Sequence, residues 1–157
     1  MRLAALLPFA VAVLAVQALL GFLPDVLRGV DPLLALAVVA ALPGRPGAAL
    51  AAGLLTGLTE DAWRGDWVGQ QALIHSSITW ALALVAARVD LVQLRPATLA
   101  LVLAAIASWG LEIALALLFD RPLGQPAGPA RWILAAAGTM VIGLVLRRIA
   151  LAVEAFA

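Results

Sequence analysis

Polar side chains are rare in the apolar parts of this sequence, and their spacing limits the chemistry available. Gln71, His75 and Thr79 recur every four residues, so they share one face of a predicted helix. Ser108 and Glu112 have the same spacing, which lets the hydroxyl donate to the carboxyl. His75 and Glu112 each lie seven residues from the outer end of their predicted helix. We predict a buried polar pair, His75–Glu112; the alternative is that each finds separate backbone or water partners.

The same residues give little support for catalysis. His75 is the only histidine, and Ser76 and Ser77 cannot turn back to it along one helix. The sequence has no G-x-S-x-G nucleophile turn, and a hydrolase built from Ser108 and His75 is disfavoured. One histidine without cysteines also disfavours a transition-metal site. We therefore expect a protein that is not an enzyme, with no catalytic residues, metal or cofactor.

The composition indicates a membrane protein. Apolar residues make up 65% of the 157 and charged residues 12%, whereas soluble domains average about 45–50% and about 25%. The ten arginines are spread along the chain, with Arg147 and Arg148 as one adjacent pair, so no basic face for nucleic acid is formed. With about 20 residues needed for each span, the length allows about six spans and almost no domain outside the bilayer.

The elements that must position these side chains are six predicted helices in one all-α transmembrane domain, 1–157. Their bounds are about 3–23, 32–42, 48–63, 68–87, 96–119 and 131–153. The first exceeds the apolar core of a signal peptide, so we expect it to be retained. The second is about 16 Å long, which requires tilting or shelter by neighbouring helices. The sequence PGRPG at 43–47 forces a hairpin, and 121–130 is the longest Pro/Gly-rich loop.

Arginine placement predicts the orientation. With a cytoplasmic N-terminus, six arginines fall inside and four outside, which agrees with the positive-inside rule. Aromatic residues fall at the predicted outer interface, where such rings prefer to lie. Both termini are therefore expected on the cytoplasmic side of the membrane. The inner arginines are Arg2, Arg45, Arg88, Arg95, Arg147 and Arg148, and the outer aromatics are Phe22, Trp63, Trp67, Phe119 and Trp132.

The third helix carries a ridge of small residues: Ala49, Gly53 and Gly57 lie four residues apart, with Asp61 next in the series. Such a ridge lets another helix backbone come close. We predict that this ridge, with Glu60 and Asp61 at its end, binds a partner helix. Two alternatives remain: the ridge is used inside the chain, and the two acids form a solvated helix end.

Three segments of the central stretch form a recognisable pattern. Their residues are Asp31, Pro32, Leu33 and Leu34 in the first segment, Gly53, Gly57, Leu58 and Asp61 in the second, and Gly69, Ala72 and Leu73 in the third. The pattern resembles that of the bacterial rod shape-determining protein MreD family, which implies a location in the bacterial inner membrane. Family members are similar in size and hydropathy, and the match covers about residues 30–90. The family commonly has Pro-Asp where this chain has Asp31-Pro32.

The resemblance implies a non-enzymatic membrane scaffold of the cell-elongation (rod) complex, which helps control cell shape and peptidoglycan synthesis. Its implied partner is MreC and, through MreC, MreB, RodA and penicillin-binding protein 2; nucleic acid is not expected. The family fold also resembles the substrate-binding subunits of energy-coupling-factor vitamin transporters. The alternative function is therefore a small-molecule binding subunit, with Gln71, His75, Thr79 and Glu112 lining its pocket.

Overall fold

The structure is a computed structural model that describes residues 13–18, 30–64, 68–120 and 129–155, except for the side chains of 129–132 and 153–155. Every regular element within these residues is an α-helix, which confirms the predicted all-α class. The helices are α1 (13–18), α2 (Pro32–Ala41), α3 (Pro46–Arg64), α4 (Gln70–Ala86), α5 (Leu94–Leu118) and α6 (Pro129–Ala155). The rest of the predicted 3–23 helix and residues 121–128 of the predicted loop lie outside the described residues.

The turn between α2 and α3 is shorter than the PGRPG sequence suggests. Pro46 is the first residue of α3, a position that needs no backbone N–H and suits the fixed φ of proline. Gly44 has φ +69°, and a Cβ built there would lie 2.9 Å from the carbonyl carbon of Ala86. Position 44 therefore requires glycine for two reasons: the backbone is left-handed there, and the end of α4 comes too close for a Cβ atom.

The short helix α2 forms the centre of the bundle. It packs against α3, α4, α5 and α6, and eight of its ten residues are buried. Leu34 and Val38 of α2 meet Ile74 of α4 and Leu101 of α5 in the main apolar cluster. At about 15 Å, α2 covers about half of a bilayer core, and its neighbours shelter it. Its first turn therefore lies in the interior of the protein.

The outer surface of the long helices is apolar. Leu94–Leu118 and Ile133–Ala152 are long and apolar enough to cross a membrane, and only 22% of the most apolar window of each is buried. On α5, Leu99, Leu103 and Ile106 are each more than half exposed. The chain thus has two candidate membrane spans among the described residues, and most residues of each apolar window are not buried.

Several basic residues lie at one end of the bundle. The guanidinium of Arg147, near the end of α6, donates to the carbonyl of Val92 in the turn between α4 and α5. The α2–α3 turn meets the end of α4 at the same end, through Gly44 and Ala86. Arg45, Arg88, Arg95 and Arg148 belong to these same turns and helix ends.

Candidate functional site

The site is built around Asp31, the residue that begins α2. One carboxylate oxygen, Oδ1, accepts the N–H of Leu34 at 2.7 Å, which is the hydrogen bond of a helix N-cap. The backbone N–H of Asp31 donates to the hydroxyl of Thr139 on α6 at 2.9 Å. The second oxygen, Oδ2, lies 3.1 Å from Nε2 of His75 on α4. Asp31 therefore connects three helices from a buried position.

His75 is completely buried, and both of its ring nitrogens face polar atoms. Nε2 faces Asp31 and also lies 3.4 Å from Oε2 of Glu60 on α3. Nδ1 lies 3.3 Å from the hydroxyl of Thr56, which itself donates to the carbonyl of Ala52 at 2.9 Å. With that hydroxyl hydrogen given to Ala52, the oxygen of Thr56 can accept from Nδ1–H of His75. Nε2 then faces the two carboxyl groups, either with a hydrogen that it donates or with a lone pair.

A chain of ionic contacts connects this buried centre to the surface. Glu60 is completely buried, and its Oε1 pairs with Arg64 one turn further along α3. Arg64 also lies 3.5 Å from Glu112 of α5, which accepts from the amide of Gln71 at 2.7 Å. The side chains of Arg64 and Glu112 are 36% and 31% exposed. The network therefore ends at the protein surface on the side of Arg64 and Glu112.

Asp61, the neighbour of Glu60, has a separate role. Its carboxylate accepts the N–H groups of Gly69, Gln71 and Ala72 at 2.7, 2.8 and 3.3 Å. The first N–H groups of a helix have no partner within the helix and attract negative charge. Asp61 therefore caps the start of α4 from α3. Glu60 and Asp61 are both fully buried, so the prediction of a solvated helix end is wrong.

The ridge of small residues predicted to bind a partner packs against α4 of the same chain. A Cβ added at Gly53 would lie 2.6 Å from Cα of Ser76, and one at Gly57 would overlap the backbone of Ala72. Ala49 is fully buried, and its carbonyl accepts from the hydroxyl of Thr79 at 2.9 Å. These contacts close the α3–α4 hairpin. A partner helix cannot reach Ala49, Gly53, Gly57, Glu60 or Asp61 unless α4 moves away, so the internal alternative describes the ridge.

The predicted direct pair of His75 and Glu112 is wrong, although both residues belong to one network. His75 contacts Asp31, Glu60 and Thr56, whereas Glu112 contacts Gln71 and Arg64. Glu112 meets the face of α4 that carries His75, but one turn away, at Gln71. Sequence reasoning missed Asp31 and Glu60 as partners of His75. The available signal was Asp31-Pro32, because an aspartate before a helix-opening proline is typical of an N-cap.

The four residues proposed to line a ligand pocket all contact other parts of the chain. Thr79 donates to Ala49, Gln71 donates to Glu112, and His75 contacts Asp31 and Thr56. Of the polar atoms in this group, Oε1 of Gln71 is buried without a hydrogen bond from the described residues. These side chains hold helices together in the structure.

Comparison of the chain with models of protein families, with curated proteins and with solved structures finds no match. The geometry of the network is therefore the basis of the functional argument.

Proposed function

We propose that the chain is a multi-pass protein of the bacterial cytoplasmic membrane and a non-enzymatic scaffold of the rod complex, of the MreD type. One observation carries the proposal: the three segments of the resemblance meet in space. Asp31 contacts α4 through His75, Gly57 packs on Ala72, and Asp61 caps α4 at Gly69. A motif whose members join helices to one another suits a scaffold, since a catalyst would leave such groups facing a substrate.

The distribution of polar and apolar side chains supports the membrane part of the proposal. Completely buried residues include Glu60, Asp61 and His75, whereas leucine and isoleucine side chains of α5 and α6 are widely exposed. In water this arrangement would expose large apolar patches, which soluble monomers rarely do. In lipid, polar groups inside a bundle and apolar groups outside it are the favourable arrangement.

Six spans with both termini in the cytoplasm complete the proposed topology, which is compatible with the basic end of the bundle. Single cysteines provide the test, because the natural chain has none. We expect a maleimide that cannot cross membranes, applied to intact cells with a permeable outer membrane, to label a cysteine at Asp120 and spare one at Asp90. Labelling of both positions, or of Asp90 alone, would contradict the topology.

The MreC contact must lie on a surface that the fold leaves open. Leu58 and Leu73 carry part of the resemblance and are 39% and 54% exposed. Each follows a residue of the α3–α4 contact, Gly57 and Ala72. α3 and α4 are antiparallel and right-handed. The residue directly after each contact residue, Leu58 on α3 and Leu73 on α4, therefore projects to the same side of the hairpin. Glu60 and His75, three positions beyond the contact, project to the core. We propose that MreC packs on the opposite, leucine-bearing side of the hairpin.

Co-purification of MreC from native membranes tests this function. We expect Leu58→Trp and Leu73→Trp each to reduce the MreC recovered by about fivefold, equivalent to about 1 kcal/mol of helix association. Leu99→Trp on α5, where the leucine is 59% exposed, is the matched control and should leave recovery unchanged. Equal MreC recovery with all three variants, at equal expression, would rule out the proposed interface. If the wild-type protein did not recover MreC, the proposed function would be ruled out.

A further inference from the structure

The geometry points to a metal site that joins α2, α3 and α4: we propose that Asp31, Glu60 and His75 bind one divalent first-row transition metal ion such as Zn²⁺. One ligand atom from each residue, two carboxylate oxygens and one imidazole nitrogen, lies within 4.8 Å of the other two, and all three residues are buried. This inference is independent of the proposed scaffold function. It concerns how the fold is held together.

The spacing of the ligand atoms suits a tetrahedral ion. Metal–ligand distances of about 2.0–2.2 Å place the ligand atoms of a tetrahedron about 3.3–3.6 Å apart, since its edge is about 1.63 times its radius. Nε2 of His75 lies 3.1 Å from Oδ2 of Asp31 and 3.4 Å from Oε2 of Glu60. The carboxylate oxygens of Asp31 and Glu60 lie within 4.8 Å of each other. Side-chain adjustments that shorten this third spacing would place the three ligand atoms at three corners of one tetrahedral ion.

The carboxylate of Glu60 is the second observation that indicates a ligand. The residue is completely buried, and its Oε2 receives no hydrogen bond from the described part of the chain. Burial of an ionised carboxylate is costly unless it is paired or coordinates a metal. Arg64 pairs with the other oxygen, Oε1, and so leaves Oε2 free to face His75. Oε2, which lies 3.4 Å from Nε2 of His75, therefore points into the same space as the other two ligand atoms.

His75 can coordinate an ion through Nε2 while Thr56 holds Nδ1–H. The hydroxyl of Thr56 donates to Ala52, so its oxygen is available to accept from Nδ1–H. In that tautomer the lone pair of Nε2 faces Oδ2 of Asp31 at 3.1 Å, and either a proton or a metal ion must lie between the two acceptors. Metal-bound histidines show this same arrangement, with the outer N–H donated to a neighbouring group.

The charges of the network also favour a divalent ion. The network contains three carboxyl groups, of Asp31, Glu60 and Glu112, and one guanidinium, Arg64, which pairs with Glu60 and Glu112. With all three carboxyl groups ionised, the network carries an excess of two negative charges. A divalent ion neutralises this excess, whereas a single proton on His75 leaves half of it in place. Arg64 and Glu112 reach the surface and provide a polar path along which an ion could enter.

Cobalt titration of the full chain tests the site. The protein is purified in detergent with a tag that contains no histidine, stripped with chelator and titrated with Co²⁺, then with Zn²⁺. We expect one Co²⁺ per chain with a tetrahedral visible spectrum, displacement by Zn²⁺, and at least tenfold weaker binding in Glu60→Gln and Asp31→Asn. Asp90→Asn, at an exposed turn, is the control and should bind as the wild type does.

Two results would overturn the proposal. The first is wild-type protein without stoichiometric Co²⁺ or Zn²⁺, which would leave a protonated His75 as the bridging cation. The second is Glu60→Gln that binds Co²⁺ as tightly as wild type. Where a variant does not fold, thermal unfolding of the wild type decides. Zn²⁺ should raise its unfolding midpoint, and an unchanged midpoint together with absent Co²⁺ bands would reject the site.

Discussion

Replacing Gly57 by alanine tests the closest contact in the molecule. A Cβ on Gly57 would overlap Cα and N of Ala72 and the carbonyl oxygen of Gln71. All three are backbone atoms, so no side-chain rotation can relieve the overlap, and α3 must move away from α4. That movement also lengthens the hydrogen bonds from Gly69, Gln71 and Ala72 to Asp61. The substitution therefore strains the packing and the cap together.

The magnitude follows from two opposing terms. Alanine in place of a helical glycine gains about 1 kcal/mol in helix propensity. Overpacking costs about 1–3 kcal/mol, and an overlap with backbone belongs at the upper end of that range. We expect Gly57→Ala to lower the free energy of unfolding by about 2 kcal/mol. Gly110 is the matched control, because it is a helical glycine whose added Cβ would meet nothing within 4 Å. Gly110→Ala should be neutral or stabilise the protein by up to about 1 kcal/mol.

The assay is unfolding in mixed micelles with an increasing fraction of a denaturing detergent, followed by the fluorescence of the five tryptophans. Both variants gain the same propensity term, so the difference between them isolates the steric cost. Equal stability of Gly57→Ala and Gly110→Ala would show that α3 and α4 do not approach each other as closely as the structure has them. The argument about the small-residue ridge would then be refuted.

Two further substitutions test the buried polar groups with the same assay. Asp61→Ala leaves the N–H groups at the start of α4 without their acceptor and should cost about 2 kcal/mol, at the upper end for a lost cap. Asp90→Ala removes a hydrogen bond to the N–H of Val92 within an exposed turn and should cost less than about 0.5 kcal/mol. Similar costs for both variants would contradict the role of Asp61. Arg64→Met leaves Glu60 buried without its charged partner and should cost about 2 kcal/mol. Removal of one partner from a fully buried ion pair costs about 3–5 kcal/mol, and the cost is smaller here because Arg64 is partly exposed. Adding Glu60→Gln should restore at least half of that loss, and an additive effect of the two changes would contradict the pairing.

Much of the helical architecture could be predicted because its signals are local. The apolar runs and the Pro/Gly turns predicted a helix from 32 to 42 and one from 68 to 87, and the structure has Pro32–Ala41 and Gln70–Ala86. α3 and α6 begin at Pro46 and Pro129, two residues before the predicted starts. The prediction took proline only as a helix breaker, whereas proline is favoured at the first position of a helix. In both places the residue type itself decides where the helix begins.

The partners of the polar residues could not be predicted in the same way, because they depend on how the helices are shifted along their axes and rotated about them. Counting residues put His75 and Glu112 at the same depth, whereas Glu112 meets α4 one turn away, at Gln71. The rotation of each helix is set by packing. Here the contact of Gly57 with Ala72 turns the residues three positions further on, Glu60 and His75, toward the core. Glu60 was therefore placed at the surface by its position near the end of α3, although it is completely buried.

The length of α2 connects these observations. A helix of ten residues that starts inside the bundle brings its free N–H groups into the apolar interior, where an unsatisfied polar group is costly. Asp31 satisfies one of them, but this introduces a buried carboxylate, which needs a positive partner of its own. His75 supplies that partner only when a cation, either a proton or a metal ion, lies between them. The buried network on α3 and α4 is thus a consequence of starting α2 in the middle of the fold. A variant in which α2 began at the surface would no longer need this network.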